Sequence, residues 1–339
     1  MQFREWLSVN RKLIILIAAF AAVYIFWGST YLAIKYAIET LPPFLMAGAR
    51  FVFAGAILFV LARLSPDFEW PKLVHWRTSL IVGTLLLVFG NGGVVFAQKY
   101  IPSSLAALLV ATEPFWIVLL SWLWLKGSRP TGRVALGLAV GFIGVALLIT
   151  GQGSMGGASG AFGSGQMLAT LAIIGSALAW AVGSMYGIKA ATPSSSLLTA
   201  GMQMLSGGTV LMLVSFLSGE LQTFQISQVS SRSWFGVAYL IVFGSLIGFT
   251  AYSWLMKNAR PSMVATYAYV NPAVAVFLGW LIAGESLTTQ MLVGAAIIVG
   301  SVVLITSSKT GKTEDDPVER SVSPQPPCRT GEFPAYSTN

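Results

Sequence analysis

The chain is organised as long apolar stretches separated by short polar segments. Most stretches contain 18 to 23 residues, close to the roughly 20 that an α-helix needs to cross a bilayer. The pattern therefore predicts an all-α membrane protein with ten transmembrane helices. The predicted spans are 13–34, 44–62, 79–98, 104–124, 133–150, 167–188, 196–217, 234–256, 262–282 and 288–306.

Basic residues in the connections predict the orientation. Alternate connections place 16 Lys and Arg residues on the side that holds both termini and only three, Lys35, Lys99 and Arg232, on the other. Because loops rich in Lys and Arg are retained in the cytoplasm, both termini are expected to be cytoplasmic. Arg50 is the one basic residue left over, and it falls inside a predicted span.

The two halves of the chain carry similar residues in the same order. The matching pairs are Trp27 and Trp180, Tyr31 and Tyr186, Gly48 and Gly201, Arg50 and Gln203, Glu113 and Asn271, and Pro114 and Pro272. Since each half has an odd number of predicted spans, the second half must enter the membrane inverted. This is the inverted-repeat plan of secondary transporters, whose substrate site lies near the midplane between the halves.

An uncharged segment rich in glycine and serine separates the halves. We predict a first five-helix repeat over 1–152, a linker over 153–165, a second, inverted five-helix repeat over 166–308 and a cytoplasmic tail over 309–339. The tail combines four basic and five acidic residues with several prolines and has no hydrophobic run. That composition is typical of disorder.

Composition narrows the classes of function. Hydrophobic residues make up 55% of the chain and charged residues 9%, which excludes a water-soluble globule. A single Cys and a single His exclude a disulfide or a His/Cys metal site within the chain, and no cofactor is expected. The net charge of +8 is scattered singly through loops, so the expected partners are the lipid bilayer and a small molecule, not nucleic acid.

Two other classes of membrane protein are disfavoured. An integral-membrane enzyme would need a cluster of reactive side chains, but the predicted spans contain no Asp, His or Cys. A membrane sensor would be expected to carry a sizeable soluble domain, and the pattern of this sequence predicts none. A transporter is therefore the favoured class, while the coupling ion, a proton or another, and the oligomeric state stay open.

Several motifs together resemble a known family. Trp27-Gly28-Ser29-Thr30-Tyr31, Arg50-Phe51, Glu113-Pro114 and Gly284-Glu285 are similar to the EamA branch of the drug/metabolite transporter superfamily, over about residues 13 to 306. The resemblance implies a ten-helix carrier of the bacterial inner membrane that exports amino acids or other small metabolites. Aromatic amino acids are the first expectation for the substrate, and cationic or aromatic drugs are the alternative.

Arg50 and Glu113 are the only ionisable side chains deep within predicted spans. An Arg at a helix centre costs about 2.5–3.5 kcal/mol on insertion scales, so each group should face a partner or a wet cavity. One interpretation is a buried ion pair that fixes helix packing, and the other is contact with substrate or a coupling proton. Pro114, and Pro272 beside Asn271, predict helix breaks in equivalent positions of the two halves, which points to a binding site.

Aromatic side chains within both halves would line a cavity that accepts flat or cationic molecules by stacking. For any one of them, a lipid-facing position is the alternative. Glu285 falls in a short turn, where a helix-start or surface role is expected. The predicted cavity residues are Trp27, Tyr31, Arg50, Asn91, Glu113, Trp116, Trp180, Tyr186, Gln203, Tyr267 and Asn271.

Overall fold

The computed structural model describes residues 13–66, 68–124, 131–151, 164–259, 261–264 and 266–307. Within these ranges the chain is helical, and helices cover each of the ten predicted segments. The helices are α1 (Leu13–Ala37), α2 (Pro43–Arg63), α3 (Leu73–Ala97), α4 (Ser103–Val110), α5 (Glu113–Leu123), α6 (Gly132–Gly151), α7 (Ser164–Lys189), α8 (Ser196–Leu217), α9 (Ser231–Asn258), α10 (Pro261–Val264), α11 (Tyr267–Ala283) and α12 (Thr289–Ser307). Two single-turn helices, Glu220–Thr223 and Ile226–Gln228, connect α8 to α9.

The described residues include seven candidate spans, with α4 and the first part of α5 counted together, that are long and apolar enough to cross a membrane. Shorter apolar segments lie in α6, α11 and α12. Large apolar side chains such as Phe53, Phe216 and Phe277 are more than half exposed on the outside of the bundle. Such a surface suits lipid and not water, so the prediction of a helical membrane protein is confirmed.

Helices α2 and α8 pack against each other through glycine. A Cβ on Gly55 would lie 2.8 Å from the backbone nitrogen of Leu205, and one on Gly208 would lie 2.8 Å from that of Val52. Gly48 similarly faces Met212, so the contacts run along the two helices in opposite directions. The missing side chains let the backbones approach closely, which is the usual way helices associate in membranes.

Helices α6 and α12 form a second antiparallel pair. A Cβ on Gly144 would lie 2.9 Å from a side-chain carbon of Ile297 and 3.3 Å from the carbonyl oxygen of Gly294. One turn further along, the Gln290 amide donates a 2.8 Å hydrogen bond to the carbonyl oxygen of Leu147. Both antiparallel pairs join a helix from the first half of the chain to one from the second.

Three helices contain π-helical stretches near their middles. They are Val23–Trp27 in α1, Thr84–Gly92 in α3 and Leu240–Phe249 in α9. A π-helical turn widens the backbone, and such turns are frequent at functional sites. All three stretches contribute to the cavity described below.

The predicted breaks differ from the structure in one case. The fourth span is interrupted at Ala111-Thr112, and Pro114 is the second residue of α5, where its missing N–H is harmless. The prediction of a break at Pro272 is wrong, because α11 runs through this residue. One proline removes a single backbone hydrogen bond, and packing against neighbouring helices compensates for it in a membrane.

Other differences concern the ends of elements. Helix α3 begins at Leu73, six residues before the predicted span. His75 therefore lies in a helical turn, where its Nδ1 accepts a 3.3 Å hydrogen bond from the backbone nitrogen of Lys72. Helix α7 starts at Ser164. The rest of the predicted linker and the tail over 309–339 lie outside the described residues.

Candidate functional site

A cavity lies inside the bundle between helices from both halves of the chain. Its empty volume is about 710 Å³, a figure that includes the space where it opens towards the surface. Most of its other lining is apolar, including Ile34, Leu87 and Val94. The predicted residues that line it are Trp27, Tyr31, Arg50, Asn91, Glu113, Trp180, Tyr267 and Asn271.

Three predicted residues do not line this cavity: Trp116, Tyr186 and Gln203. Gln203 is buried, and its backbone carbonyl faces Gly83 of α3. Trp27 and Trp180, which match each other in the two halves of the sequence, thus both line the cavity, whereas Tyr31 and Arg50 line it without Tyr186 and Gln203. The cavity is lined asymmetrically, with ionisable side chains from the first half only, apart from the Tyr267 phenol.

Trp27 is the centre of an aromatic cluster. Its ring meets those of Trp180 and Tyr267 edge to face, with centroids 5.4 Å apart in both pairs. The indole N–H donates a 3.1 Å hydrogen bond to the carbonyl oxygen of Gly244, inside the π-helical stretch of α9. Gly248 leaves room for the same indole, since a Cβ there would lie 2.5 Å from its nitrogen. The ring is thus fixed by α9 and presented to the cavity.

Sequence reasoning missed Tyr252, which belongs to the same cluster. Its ring centroid lies 5.0 Å from that of Trp27, and its hydroxyl makes a 2.7 Å hydrogen bond with the hydroxyl of Ser184. Tyr252 is buried, whereas Trp254, two residues later, is only half-buried. Both are aromatics in one apolar helix, and only the tertiary contacts distinguish them. Thr30 and Ser176 were also missed and line the cavity.

Glu113 is the first residue of α5 and follows the interruption of the fourth span directly. Its side chain is buried, and the Tyr267 hydroxyl donates its single proton to the carboxylate, with the hydroxyl oxygen 2.7 and 2.6 Å from the two carboxylate oxygens. A carboxylate at the start of a helix is also favoured by the helix dipole. The break therefore places an acceptor of hydrogen bonds at the cavity wall.

Arg50 approaches the cavity from α2. The ion pairs among the described residues are Lys35–Glu285 and Arg232–Glu39, so Arg50 and Glu113 are not paired with each other. The interpretation of these two groups as a buried ion pair is wrong, because Tyr267 holds the carboxylate while the guanidinium lies near Asn91. Both groups line the cavity separately.

Glu285 forms a second polar cluster, in the turn after α11. One oxygen accepts hydrogen bonds from the backbone nitrogen (3.0 Å) and hydroxyl (2.6 Å) of Ser103 and from Lys35 (2.9 Å). The other accepts from the backbone nitrogen (3.1 Å) and hydroxyl (2.5 Å) of Ser104. Glu285 is only 8% exposed, so of the two expected roles the surface one is wrong, while its contacts with the first residues of α4 agree with a helix-start role.

These contacts also determine the charge of Glu285. Burial by itself raises the pKa of the carboxyl, but the hydrogen bonds from Ser103, Ser104 and Lys35 outweigh burial and lower the pKa to about 2. The group is thus ionised at any physiological pH. It links α1, α4 and the turn before α12 at one end of the bundle.

A comparison of the sequence with protein families identifies a family of membrane transporters, which agrees with the cavity and the helix packing described above. The model of the EamA-like transporter family matches residues 13–150 and 167–307. The chain belongs to this family. The resemblance seen in its motifs is confirmed, and the two matched segments correspond to its two halves.

The relatives carry the same assignment. YedA of Escherichia coli strain K12, an "uncharacterized inner membrane transporter", is 37% identical over 301 residues, covering 88% of this chain and 93% of YedA. YvbV of Bacillus subtilis strain 168, an "uncharacterized transporter", is 28% identical over 294 residues, covering 86% of this chain and 92% of YvbV. A "probable amino-acid metabolite efflux pump" of Salmonella typhimurium strain LT2 is 27% identical over 292 residues, covering 83% of this chain and 91% of the relative.

A solved crystal structure shows the same fold. It superimposes with a TM-score of 0.60 at 22% sequence identity and covers 86% of this chain and 96% of the other protein. The family and the relatives support one assignment: this EamA protein is a multi-pass transporter of the bacterial inner membrane.

Proposed function

We propose that this protein is a secondary transporter that exports small metabolites from the cytoplasm by alternating access, with amino acids, and aromatic ones first, as its substrates. The observation that carries the proposal is the cavity between the two halves, in which an aromatic cluster lies beside one buried guanidinium and one buried carboxylate. Aromatic rings suit a flat side chain, and the two charged groups suit polar ends of opposite sign.

The proposed architecture is ten transmembrane helices in two inverted five-helix repeats, with both termini in the cytoplasm. The antiparallel packing of α2 on α8 and of α6 on α12 supports it, because a two-fold axis in the membrane plane relates equivalent helices in this way. In this arrangement α4 and α5 form the fourth span, and α10 and α11 the ninth. The excess of Lys and Arg on one side supports the orientation.

Export of amino acids is supported by the name of the Salmonella relative, an amino-acid metabolite efflux pump. The alternative substrate class, cationic or aromatic drugs, is favoured by Glu113 and the aromatic cluster. It is opposed by Arg50, because a buried guanidinium in the same cavity repels a cation. An amphiphilic molecule that carries a carboxylate fits both charges.

The test is a comparison of cells that overproduce the protein with cells that overproduce the Glu113→Gln variant at the same level. We expect one or more amino acids, aromatic ones above all, to accumulate outside the first cells and to be depleted inside them. Loading each culture with a dipeptide of the amino acid concerned raises the internal pool equally. If untargeted metabolite analysis finds no amino acid enriched outside, the substrate proposal fails, and any other enriched compound identifies the substrate.

A further inference from the structure

We infer that Arg50 is an anion-binding group, and that it holds the carboxylate of the transported molecule in the central cavity. This inference rests on the proposed function for the location of the substrate, and it adds the residue that selects the substrate's acidic end. Arg50 lies in the middle of α2, is 4% exposed and lines the cavity.

The guanidinium of Arg50 is buried but has few hydrogen-bond acceptors around it. Its Nη2 lies 3.5 Å from Oδ1 of Asn91, at the limit of a hydrogen bond. Nε and Nη1 are buried and have no hydrogen-bond partner among the described residues. The cation also lies over the ring of Phe51, with Cζ 4.1 Å from the ring centroid. A ring face attracts a cation but accepts no hydrogen bond from the edge of the guanidinium.

An isolated buried charge is costly, and a guanidinium is satisfied best by an anion that accepts two parallel hydrogen bonds. Within the protein the obvious anion would be Glu113, but its carboxylate accepts the hydrogen bond of the Tyr267 hydroxyl and forms no ion pair with Arg50. The unused donors on Nε and Nη1 lie on the two edges that each share Nη2, whose two N–H groups make only one long contact. A ligand carboxylate can therefore bind bidentately at either edge, to Nε and Nη2 or to Nη1 and Nη2.

A comparison of the two halves supports a role for this group in the site and not in the scaffold. The equivalent position in the second half is Gln203, which is buried away from the cavity lining. Both positions lie on the closely packed pair α2 and α8. Packing of that pair is thus compatible with a neutral side chain, and the charge of Arg50 is present only where it reaches the cavity.

Other parts of the cavity supply acceptors instead of donors. Glu113 retains lone pairs beyond those that Tyr267 uses, and Oδ1 of Asn271 is buried without a hydrogen-bond partner among the described residues. A molecule with a carboxylate at Arg50 and an amino group facing these acceptors would satisfy both sets. The recognised class is therefore a small organic acid, with an α-amino acid as its best-matched member.

The test is ligand binding to the full-length protein in detergent. Binding is detected through the change in tryptophan fluorescence. Four probes share one ring: 3-phenylpropionate has only the carboxylate, phenylethylamine has only the amine, phenylalanine has both, and phenylalaninamide has the amine and a neutral amide in place of the carboxylate. We expect the parent protein to bind 3-phenylpropionate at least about 10-fold more tightly than phenylethylamine, and phenylalanine more tightly than phenylalaninamide. A charged hydrogen-bonding group contributes a factor of this size or more.

Variants assign the effect to Arg50. Arg50→Gln is expected to weaken binding of 3-phenylpropionate by about 10- to 100-fold. The affinity for phenylethylamine should stay within about 3-fold of the parent's. Arg50→Lys should lie between the two, since it keeps the charge but loses the bidentate geometry. The matched control is Gln203→Ala, the same position of the other repeat, which should bind all probes like the parent.

Two results would overturn the inference. One is equal affinity of the parent protein for phenylalaninamide and phenylalanine. This measurement does not depend on any variant being folded. The other is a folded Arg50→Gln protein whose affinity for all probes falls by the same factor. Failure of the proposed function looks different: carboxylates bind through Arg50, yet the protein in proteoliposomes moves no amino acid.

Discussion

The indole rings of Trp27 and Trp180 touch edge to face, with their centroids 5.4 Å apart, although 153 positions separate them in the chain. They match each other in the sequences of the two halves, and both line the central cavity. The contact therefore joins the halves at the site itself. A movement of one half against the other must change this contact, and with it the shape of the surface presented to a substrate.

Replacing either tryptophan should alter substrate preference. Trp27→Ala and Trp180→Ala are each expected to reduce export of an aromatic amino acid about 2- to 10-fold more than export of threonine, because each lost ring contact is worth about 0.5–1.5 kcal/mol beyond burial. The measurement is efflux from cells loaded with both amino acids. Trp280→Ala, at a half-exposed position on the outside of the bundle, is the control and should export like the parent. Equal losses for both substrates would assign the two rings to packing.

The charge of Glu113 should be needed for transport but not for folding. Glu113→Gln keeps an acceptor for the Tyr267 hydroxyl, so we expect normal amounts of protein in the membrane and at least about 10-fold less export. Export that equals the parent's would remove this carboxylate from the site. Because Arg50 and Glu113 are not paired, adding Arg50→Gln should not restore activity; a double variant more active than either single one would contradict the geometry.

The two described ion pairs should differ in their value to stability. Glu285→Gln is expected to lower the free energy of unfolding by about 2 kcal/mol, because it weakens several hydrogen bonds to a buried carboxylate. Glu39→Gln breaks an exposed pair with Arg232 and should cost less than about 1 kcal/mol. Thermal unfolding of both variants in detergent makes the comparison. Equal effects would mean that burial of Glu285 adds nothing.

The same cluster predicts a dependence on pH. The pKa of Glu285 is lowered to about 2 in the folded protein, so its contribution is complete above the ordinary pKa of a glutamate and is lost as the pH falls towards 2. The stability difference between the parent and Glu285→Gln should therefore be constant from pH 7 to about 5 and shrink below that. A difference that vanishes near neutral pH would show that the carboxyl is not held ionised.

Replacing a glycine at the contact of α2 and α8 should destabilise the protein. A Cβ on Gly55 meets backbone of α8, which cannot move aside like a flexible side chain, so Gly55→Ala is expected to destabilise the protein by about 1–3 kcal/mol. The matched control is Gly175→Ala in α7, where a Cβ meets nothing within 4 Å and alanine favours the helix. A Gly55→Ala protein as stable as the parent would contradict the close packing.

The proposed orientation is tested by reporters. A reporter active only in the cytoplasm should work after Ser308, and one that requires export should work within 153–165. The reasons are the 16-to-3 distribution of basic residues and the odd number of proposed spans in each half. The opposite pattern at both positions would overturn the inverted arrangement. A cytoplasmic result at both would mean that a half contains an even number of spans.

The sequence alone determined that this is a helical membrane protein of a transporter family, because both properties are carried by local features. Apolar stretches long enough for a bilayer are visible without any contact, and so are motifs such as Trp27-Gly28-Ser29-Thr30-Tyr31 and Glu113-Pro114. The costs of burying Arg50 and Glu113 in lipid also follow from the sequence, and they directed attention to both residues.

Only the tertiary structure decided what those residues contact. Tyr267 and Glu113 lie 154 positions apart, and Lys35 and Glu285 lie 250 apart, so neither pairing leaves a local pattern. Hydrophobic periodicity likewise cannot separate the aromatics of the cavity and its cluster from those packed elsewhere in the bundle, since both surroundings are apolar. For this reason Tyr252, a member of the cluster, was missed, while Trp116 and Tyr186, which do not line the cavity, were included. In a membrane the distinction between inside and outside is one of shape and not of polarity, and shape is set by how the helices pack.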